Sequence, residues 1–168
     1  MVSKSLVFNP GMESGTGRAR GTPVTDSGQT GEHEPRRILV VDDDPAVREM
    51  LVRVLTGEGY STRAAANGDE ALRISAAVRP DLVLLDLGLP GQSGWDILAN
   101  LTRPKPGLAV VIITAWPNQA PAAQAAGASA LLEKPLDFPM LLQTIAGFLA
   151  RPPEQWLAPT AGRTASPS

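Results

Sequence analysis

Four short apolar runs in this chain lack the alternation of apolar and polar residues that marks a half-exposed strand. The runs cover residues 38–41, 82–85, 110–113 and 130–132. Strands that are apolar without alternation are usually buried on both faces, as in a parallel sheet covered by helices. The sequence therefore predicts an α/β domain built around a parallel sheet.

A polar residue stands at or just beyond the end of each run: Asp42 with Asp43, Asp86, Thr114 and Lys134. In parallel sheets, ligands bind beyond the carboxyl ends of the strands, so these side chains are predicted to meet at one edge. Carboxylates suit Mg²⁺ and can attack phosphorus, whereas a hydroxyl and an ammonium can hold phosphoryl oxygens. The pattern predicts a site for a divalent cation and a phosphoryl group.

Each of these residues also has a simpler interpretation when taken alone. The acidic run ending at Asp44, ahead of Pro45, could do no more than cap a helix and interact favourably with the positive end of its dipole. Asp86 could cap a turn, Thr114 could be a β-prone residue, and Lys134 could be a surface charge. Their consistent place after four different strands favours a joint site.

Strand and helix patterns alternate between residues 36 and 150, with five of each. Such alternation implies right-handed crossovers and a three-layer sandwich. The fourth helix is predicted to be short, about residues 122–126, because prolines precede it. Residues 1–35 and 151–168 are rich in Gly, Pro, Ser and Thr, and both are predicted to be disordered tails.

Charge and hydropathy exclude several classes of function. The net charge is −2 with scattered basic residues, so no nucleic-acid partner is expected. The chain has no cysteine for disulfides or thiolate metal sites. No apolar run reaches the roughly 18 residues of a membrane helix, and the start does not resemble a signal peptide. A cytoplasmic protein without membrane contact is expected.

Several motifs in residues 36–150 resemble the receiver domain of bacterial two-component response regulators. They are Ile38–Pro45, Asp81–Pro90 followed by Gly94, Val111–Ala115, Ala126–Ala128 and Glu133–Leu136. The resemblance implies the flavodoxin-like (CheY-like) fold, with five parallel strands in the order 2-1-3-4-5 and five helices.

The resemblance also implies roles for the acidic residues. Asp86 would be the phosphoacceptor and a ligand of Mg²⁺. Asp43 would ligate the ion directly, Asp42 directly or through water, and Gly88 through its main-chain carbonyl.

Further roles fall on residues near the ends of the last two strands. Thr114 and Lys134 would bind the phosphoryl group, and Lys134 would pair with Asp86 before it arrives. The bond from Lys134 to Pro135 is a candidate for a cis peptide. Leu131 occupies the switch position, which in the family usually carries Tyr or Phe.

Two residues near the acceptor are expected to modulate the lifetime of the acyl phosphate. Gly88 leaves no side chain over Asp86, whereas Trp116 places a large one near it. A half-exposed loop aromatic is an equally good interpretation of Trp116.

The expected function is that of a stand-alone receiver in a phosphorelay. It would accept a phosphoryl group from a sensor histidine kinase or a histidine phosphotransfer protein. It would then signal by contact through the face formed by the fourth helix, the fifth strand and the fifth helix.

Two alternatives stay open. One is a receiver-like adaptor that works without phosphorylation, which Leu131 favours and the complete acidic cluster disfavours. Unchanged partner affinity with beryllofluoride would support it. The other is a Mg²⁺-dependent aspartyl phosphohydrolase, which Gly88 disfavours because such enzymes carry a general acid there. Steady turnover of phosphate esters would support it.

Overall fold

A computed structural model describes residues 5–8 and 34–150 of the chain. These ranges contain six strands and five helices. The strands are β1 (Ser5–Val7), β2 (Arg37–Val41), β3 (Ser61–Ala65), β4 (Leu82–Asp86), β5 (Ala109–Thr114) and β6 (Ala130–Glu133). The helices are α1 (Pro45–Gly57), α2 (Gly68–Val78), α3 (Gly94–Thr102), α4 (Ala120–Ala125) and α5 (Phe138–Leu149).

The strands form one sheet in the order β1-β6-β5-β4-β2-β3. Strands β2 to β6 run parallel to their neighbours. Numbered among themselves, these five strands follow the order 2-1-3-4-5, which confirms the predicted flavodoxin-like topology. Their carboxyl ends meet at one edge of the sheet, as the site prediction requires.

Both faces of the sheet are covered, which explains the absence of alternation in the apolar runs. Side chains of successive strand residues point to opposite faces. In β2, Leu39 packs in a cluster with residues of α2, α3 and α4, whereas Val40 packs in a second cluster with residues of α1 and α5. All residues of β4 and β5 are buried. The molecule is the three-layer sandwich that the sequence predicts.

Helices α1 and α2 begin at the edge of the sheet that carries the site, and side chains cap their first turns. Asp44 caps α1 by accepting the N–H of Ala46 at 2.9 Å, and Pro45 is the first helical residue. Asn67 caps α2 by accepting the N–H of Glu70 at 2.9 Å, and the Glu70 carboxylate accepts the N–H of Ala66 at 2.8 Å. The contacts at Ala46 and Glu70 satisfy helix N–H groups that have no partner within the helix, and the contact at Ala66 ties the residue before the cap to the first turn of α2.

The fourth helix is short but begins earlier than predicted. It covers Ala120–Ala125 rather than residues 122–126, and Pro121 lies within its first turn. Proline is tolerated there because the first N–H groups of a helix have no partner within it. The prediction treated Pro121 as a barrier to the helix, whereas it is part of the helix start.

The amino-terminal segment corrects one expectation. Residues 1–35 were predicted to be disordered, but Ser5–Val7 form β1, which pairs antiparallel with β6. The sheet therefore has a sixth strand beyond the five predicted. Residues 1–4 and 9–33, like the predicted tail 151–168, lie outside the described residues. In the part of the chain that the structure describes, no helix is long and apolar enough to span a membrane.

Candidate functional site

The four strand ends singled out in the sequence meet at the carboxyl edge of the sheet. Asp42 directly follows β2, Asp86 ends β4, Thr114 ends β5, and Lys134 directly follows β6. Asp42, Asp86 and Thr114 are buried. The parallel register therefore brings together the groups that the sequence analysis assigned to one site.

Three carboxylates form the acidic part of this site. Oxygen atoms of Asp42, Asp43 and Asp86 all lie within 4.8 Å of one another. Asp42 is 1% exposed and Asp86 is 6% exposed, whereas Asp43 faces solvent. Carboxylates held this close repel one another unless a positive charge lies among them.

Lys134 supplies such a charge. Its Nζ lies 3.0 Å from Asp42 Oδ2 and 3.1 Å from Asp86 Oδ2. Partial burial acts to lower the pKa of Lys134, but the hydrogen bonds to both carboxylates and their charges outweigh it and raise the pKa. The sequence analysis expected the contact with Asp86, whereas the equal contact with Asp42 was not foreseen.

Main-chain groups hold both buried carboxylates in place. The N–H of Asp44 donates to Asp42 Oδ1 at 2.9 Å, and the N–H of Gly88 donates to Asp86 Oδ1 at 2.8 Å. Each carboxylate thus offers one oxygen to the main chain and the other to Lys134. Hydrogen bonds to a charged group are stronger than those between neutral groups, so the orientation of both side chains is well defined.

Arg48 is a supporting residue that the sequence analysis missed. Its Nη1 donates to the main-chain oxygen of Asp42 at 2.7 Å, from the first turns of α1. The sequence carried a weak signal for this role. A positive residue near the start of a helix is unfavourable toward the helix dipole, so an arginine there needs another partner.

Thr114 and Lys134 are joined through the backbone. The main-chain N–H of Lys134 donates to the main-chain oxygen of Thr114 at 2.8 Å. The Thr114 hydroxyl oxygen accepts the N–H of Trp116 at 3.0 Å. That contact leaves the hydroxyl hydrogen available to donate. The Trp116 side chain is 49% exposed.

Gly88 lies directly against the Asp86 carboxylate. A Cβ atom at position 88 would stand 3.4 Å from Asp86 Oδ1 and 3.9 Å from Oδ2. This is ordinary van der Waals contact, so a side chain at this position would cover the carboxylate without a clash. Glycine leaves that side of Asp86 open.

Leu131 is fully buried, in the cluster shared with Ala123 of α4. It lies in β6, three residues before Lys134. The peptide bond between Lys134 and Pro135 is cis, which is the geometry that the resemblance implied.

The donor set of the site suits a hard divalent cation. Its carboxylates supply oxygen atoms alone, and at least one of them faces solvent. Mg²⁺ is bound by one or two carboxylates and keeps several waters, which an open acidic site allows. Asp42, Asp43 and Asp86 would hold such an ion. The neighbouring ammonium and hydroxyl suit the oxygens of a phosphoryl group.

The fold and this edge together define an α/β domain with an acidic site at the carboxyl ends of its parallel strands. A model of the response regulator receiver domain family matches residues 38–146, which is more than half of the chain. The chain belongs to the response regulator receiver domain family. Receiver domains of this family are phosphoacceptors in two-component signalling, and Mg²⁺ and phosphoaspartate are typical of them.

Two curated regulators illustrate the sequence similarity. The DNA-binding response regulator MtrA of Mycolicibacterium smegmatis is 50% identical over 80 residues, covering 48% of this chain and 35% of MtrA. The transcriptional regulatory protein GlrR of Escherichia coli is 38% identical over 115 residues, covering 67% of this chain and 26% of GlrR. The chain thus spans about a third or less of the length of these relatives.

Two solved structures illustrate the similarity in fold. A CheY-like receiver domain protein from Methanospirillum hungatei has a TM-score of 0.66 and 31% identity, covering 72% of this chain and 96% of its own. The response regulator TrrA of Thermotoga maritima, in complex with Mg²⁺ and BeF, has a TM-score of 0.63 and 33% identity. That match covers 67% of this chain and 98% of TrrA.

Proposed function

We propose that this receiver accepts a phosphoryl group on Asp86 from the phosphohistidine of a sensor kinase or of a histidine phosphotransfer protein. One observation carries the proposal. The Asp86 carboxylate is held by the Gly88 N–H and by Lys134, beside two further carboxylates. A carboxylate in a fixed orientation, next to a cation site, is equipped to attack phosphorus.

In the proposed reaction, a carboxylate oxygen of Asp86 forms a bond to phosphorus as the bond from phosphorus to the donor nitrogen breaks. The product is an acyl phosphate on Asp86, and the donor histidine leaves. Lys134, already 3.1 Å from Asp86, would pair with the new phosphoryl oxygens. The Thr114 hydroxyl would donate to one of them, and the joined main chains of Thr114 and Lys134 would move together.

Asp42, Asp43, Asp86 and the main-chain carbonyl of Gly88 would hold Mg²⁺. When bound, the ion neutralises charge on the phosphoryl oxygens and keeps them in line for transfer. TrrA, a relative in fold, was solved with Mg²⁺ and BeF, and beryllofluoride mimics a phosphoryl group.

Incubation with acetyl phosphate and Mg²⁺ tests the proposal directly. We expect intact mass spectrometry to detect one added phosphoryl group, and chelation of the metal with EDTA to prevent it. A chain that stays unmodified under these conditions and with its cognate kinase would refute the proposal. Continued turnover of acetyl phosphate or other phosphate esters would favour the phosphohydrolase instead.

Mg²⁺ is also expected to stabilise the folded domain, because an ion that binds only the native state shifts the unfolding equilibrium. At about 100 times its Kd, the gain is about 2.7 kcal/mol. Thermal unfolding with and without Mg²⁺ measures this gain as a rise of several degrees in Tm. Asp43→Asn is expected to lose most of the rise, whereas Asp96→Asn, an exposed change on α3, keeps it. An equal rise in both variants would place the ion elsewhere.

We further propose that the phosphorylated domain signals by protein contact through the face formed by α4, β6 and α5. Buried Leu131 lies in this face, where the family usually carries an aromatic residue. An adaptor that ignores phosphorylation is therefore the second candidate, and beryllofluoride would leave its partner affinity unchanged. The stand-alone organisation, the cytoplasmic location and the absence of a nucleic-acid partner stay predictions.

A further inference from the structure

Strand β1 lies against the outer edge of β6. Its register pairs Leu6 with Leu131 and Val7 with Ala130. The pairing continues one residue further, because the N–H of Phe8 donates to the main-chain oxygen of Ser129 at 3.1 Å. The described amino-terminal residues thus occupy the sheet edge within the α4, β6 and α5 face.

The register indicates which main-chain groups of β6 this strand covers. Hydrogen-bonded and non-hydrogen-bonded pairs alternate along an antiparallel ladder. Since Phe8 is bonded to Ser129, the next hydrogen-bonded pair is Leu6 with Leu131. The main chain of Lys134 faces the opposite way, toward Thr114 of β5. The main chain at Leu131, the switch position, therefore points at β1.

The contact made by β1 is small. The strand has three residues, and the Leu6 side chain is 40% exposed. Phe8 is partly buried and packs against the cluster that contains Leu131, Ala123 and Ala128. Segments with few buried contacts open at low free-energy cost. By contrast, β6 also pairs with β5 and contributes Ala130 and Leu131 to the core.

We propose that Ser5–Phe8 form a displaceable cap on β6, and that the uncapped edge binds this segment by strand addition. A bare edge strand presents unpaired N–H and C=O groups, which is the usual template for strand addition. Capping and release would control access to part of the α4, β6 and α5 face. The link to signalling rests on the proposed function, whereas the cap itself does not.

Two proline substitutions in the full-length chain test the cap. Leu6→Pro removes an N–H that points at β6, and Val7→Pro removes one that points away from it. Edge strands tolerate proline where the N–H is not used in the ladder. By hydrogen exchange, we expect Leu6→Pro to speed exchange at the Leu131 amide by at least about tenfold, and Val7→Pro to change it far less.

The amides of Ser129 and Lys134 serve as internal references, because they donate to Val110 and Thr114 on the β5 side. Their exchange is expected to stay within about threefold of wild type in both variants. Unchanged exchange at Leu131 would overturn the cap. An equal rise at all three amides would also overturn it, because β1 would then be part of the fold rather than a cap.

A synthetic peptide of residues 1–10 tests strand addition to the open edge. At millimolar concentration, it is expected to restore slow exchange of the Leu131 amide in the Leu6→Pro protein. The same peptide with proline in place of Leu6 should not restore slow exchange. If slow exchange is not restored, strand addition is refuted.

Phosphoryl uptake from acetyl phosphate, measured on the same variants, should equal that of wild type. If wild type also fails to take up the phosphoryl group, the proposed function is refuted, whereas the exchange results still support the cap.

Discussion

Replacing Asp86 with asparagine is expected to abolish phosphoryl uptake from acetyl phosphate. The amide has nearly the same shape, and its oxygen can still accept the N–H of Gly88, which now donates at 2.8 Å. It is not an anionic nucleophile, so no acyl phosphate can form. The free energy of unfolding should change by no more than about 1 kcal/mol, because Lys134 keeps its ion pair with Asp42. Intact mass and urea unfolding of the same sample separate loss of chemistry from loss of fold.

The matched control is Asp96→Asn, the same chemical change at an exposed position of α3. It should take up the phosphoryl group like wild type. If Asp86→Asn still gains one phosphoryl group, peptide mapping would identify the true acceptor, with Asp43 the first candidate. The assignment of Asp86 would then be wrong even though the site accepts phosphate.

Replacing Gly94 with alanine is expected to destabilise the domain by about 2 kcal/mol or more. A Cβ at this position would lie 2.8 Å from both the Cα and the Cδ2 of Leu87. The first contact is with backbone that cannot rotate away, and it lies next to Asp86. We therefore expect a lower urea midpoint together with slower phosphoryl uptake, because the loop after β4 must shift.

Gly147→Ala is the control for this prediction. Gly147 lies inside α5, and a Cβ there would meet nothing within 4 Å. Alanine should stabilise that helix by about 0.5–1 kcal/mol. If the two substitutions change the midpoint in the same direction by similar amounts, the packing of Gly94 against Leu87 does not limit stability.

The parallel sheet could be predicted from the sequence because its signal is repeated. Several apolar runs, such as 82–85, are each followed by a polar residue, and each run predicts a strand that is buried on both faces. The site followed from the same pattern, since Asp86 and Thr114 are placed by the register of their strands. Burial of Asp42 and exposure of Asp43 could not be read from neighbouring positions of one acidic run.

What the sequence did not reveal depends on contacts between distant residues. Three residues of β1 carry no periodicity to recognise, and their strand exists only because β6 offers an edge. The second ion pair of Lys134, with Asp42, joins residues 92 positions apart. The bond from Arg48 to the Asp42 main chain depends on where α1 leaves the sheet. Each is a tertiary contact without a local pattern.

The ion pairs of Lys134 have a consequence for how the site selects its inputs. Three carboxylates face the one ammonium that pairs with them, so carboxylates outnumber the ammonium within the cluster. A phosphoryl donor is itself anionic and is repelled by such a cluster. A divalent cation carries the charge that cancels the excess. Under the proposed function, phosphoryl transfer to Asp86 is therefore expected only when the metal and the phosphoryl donor are present together.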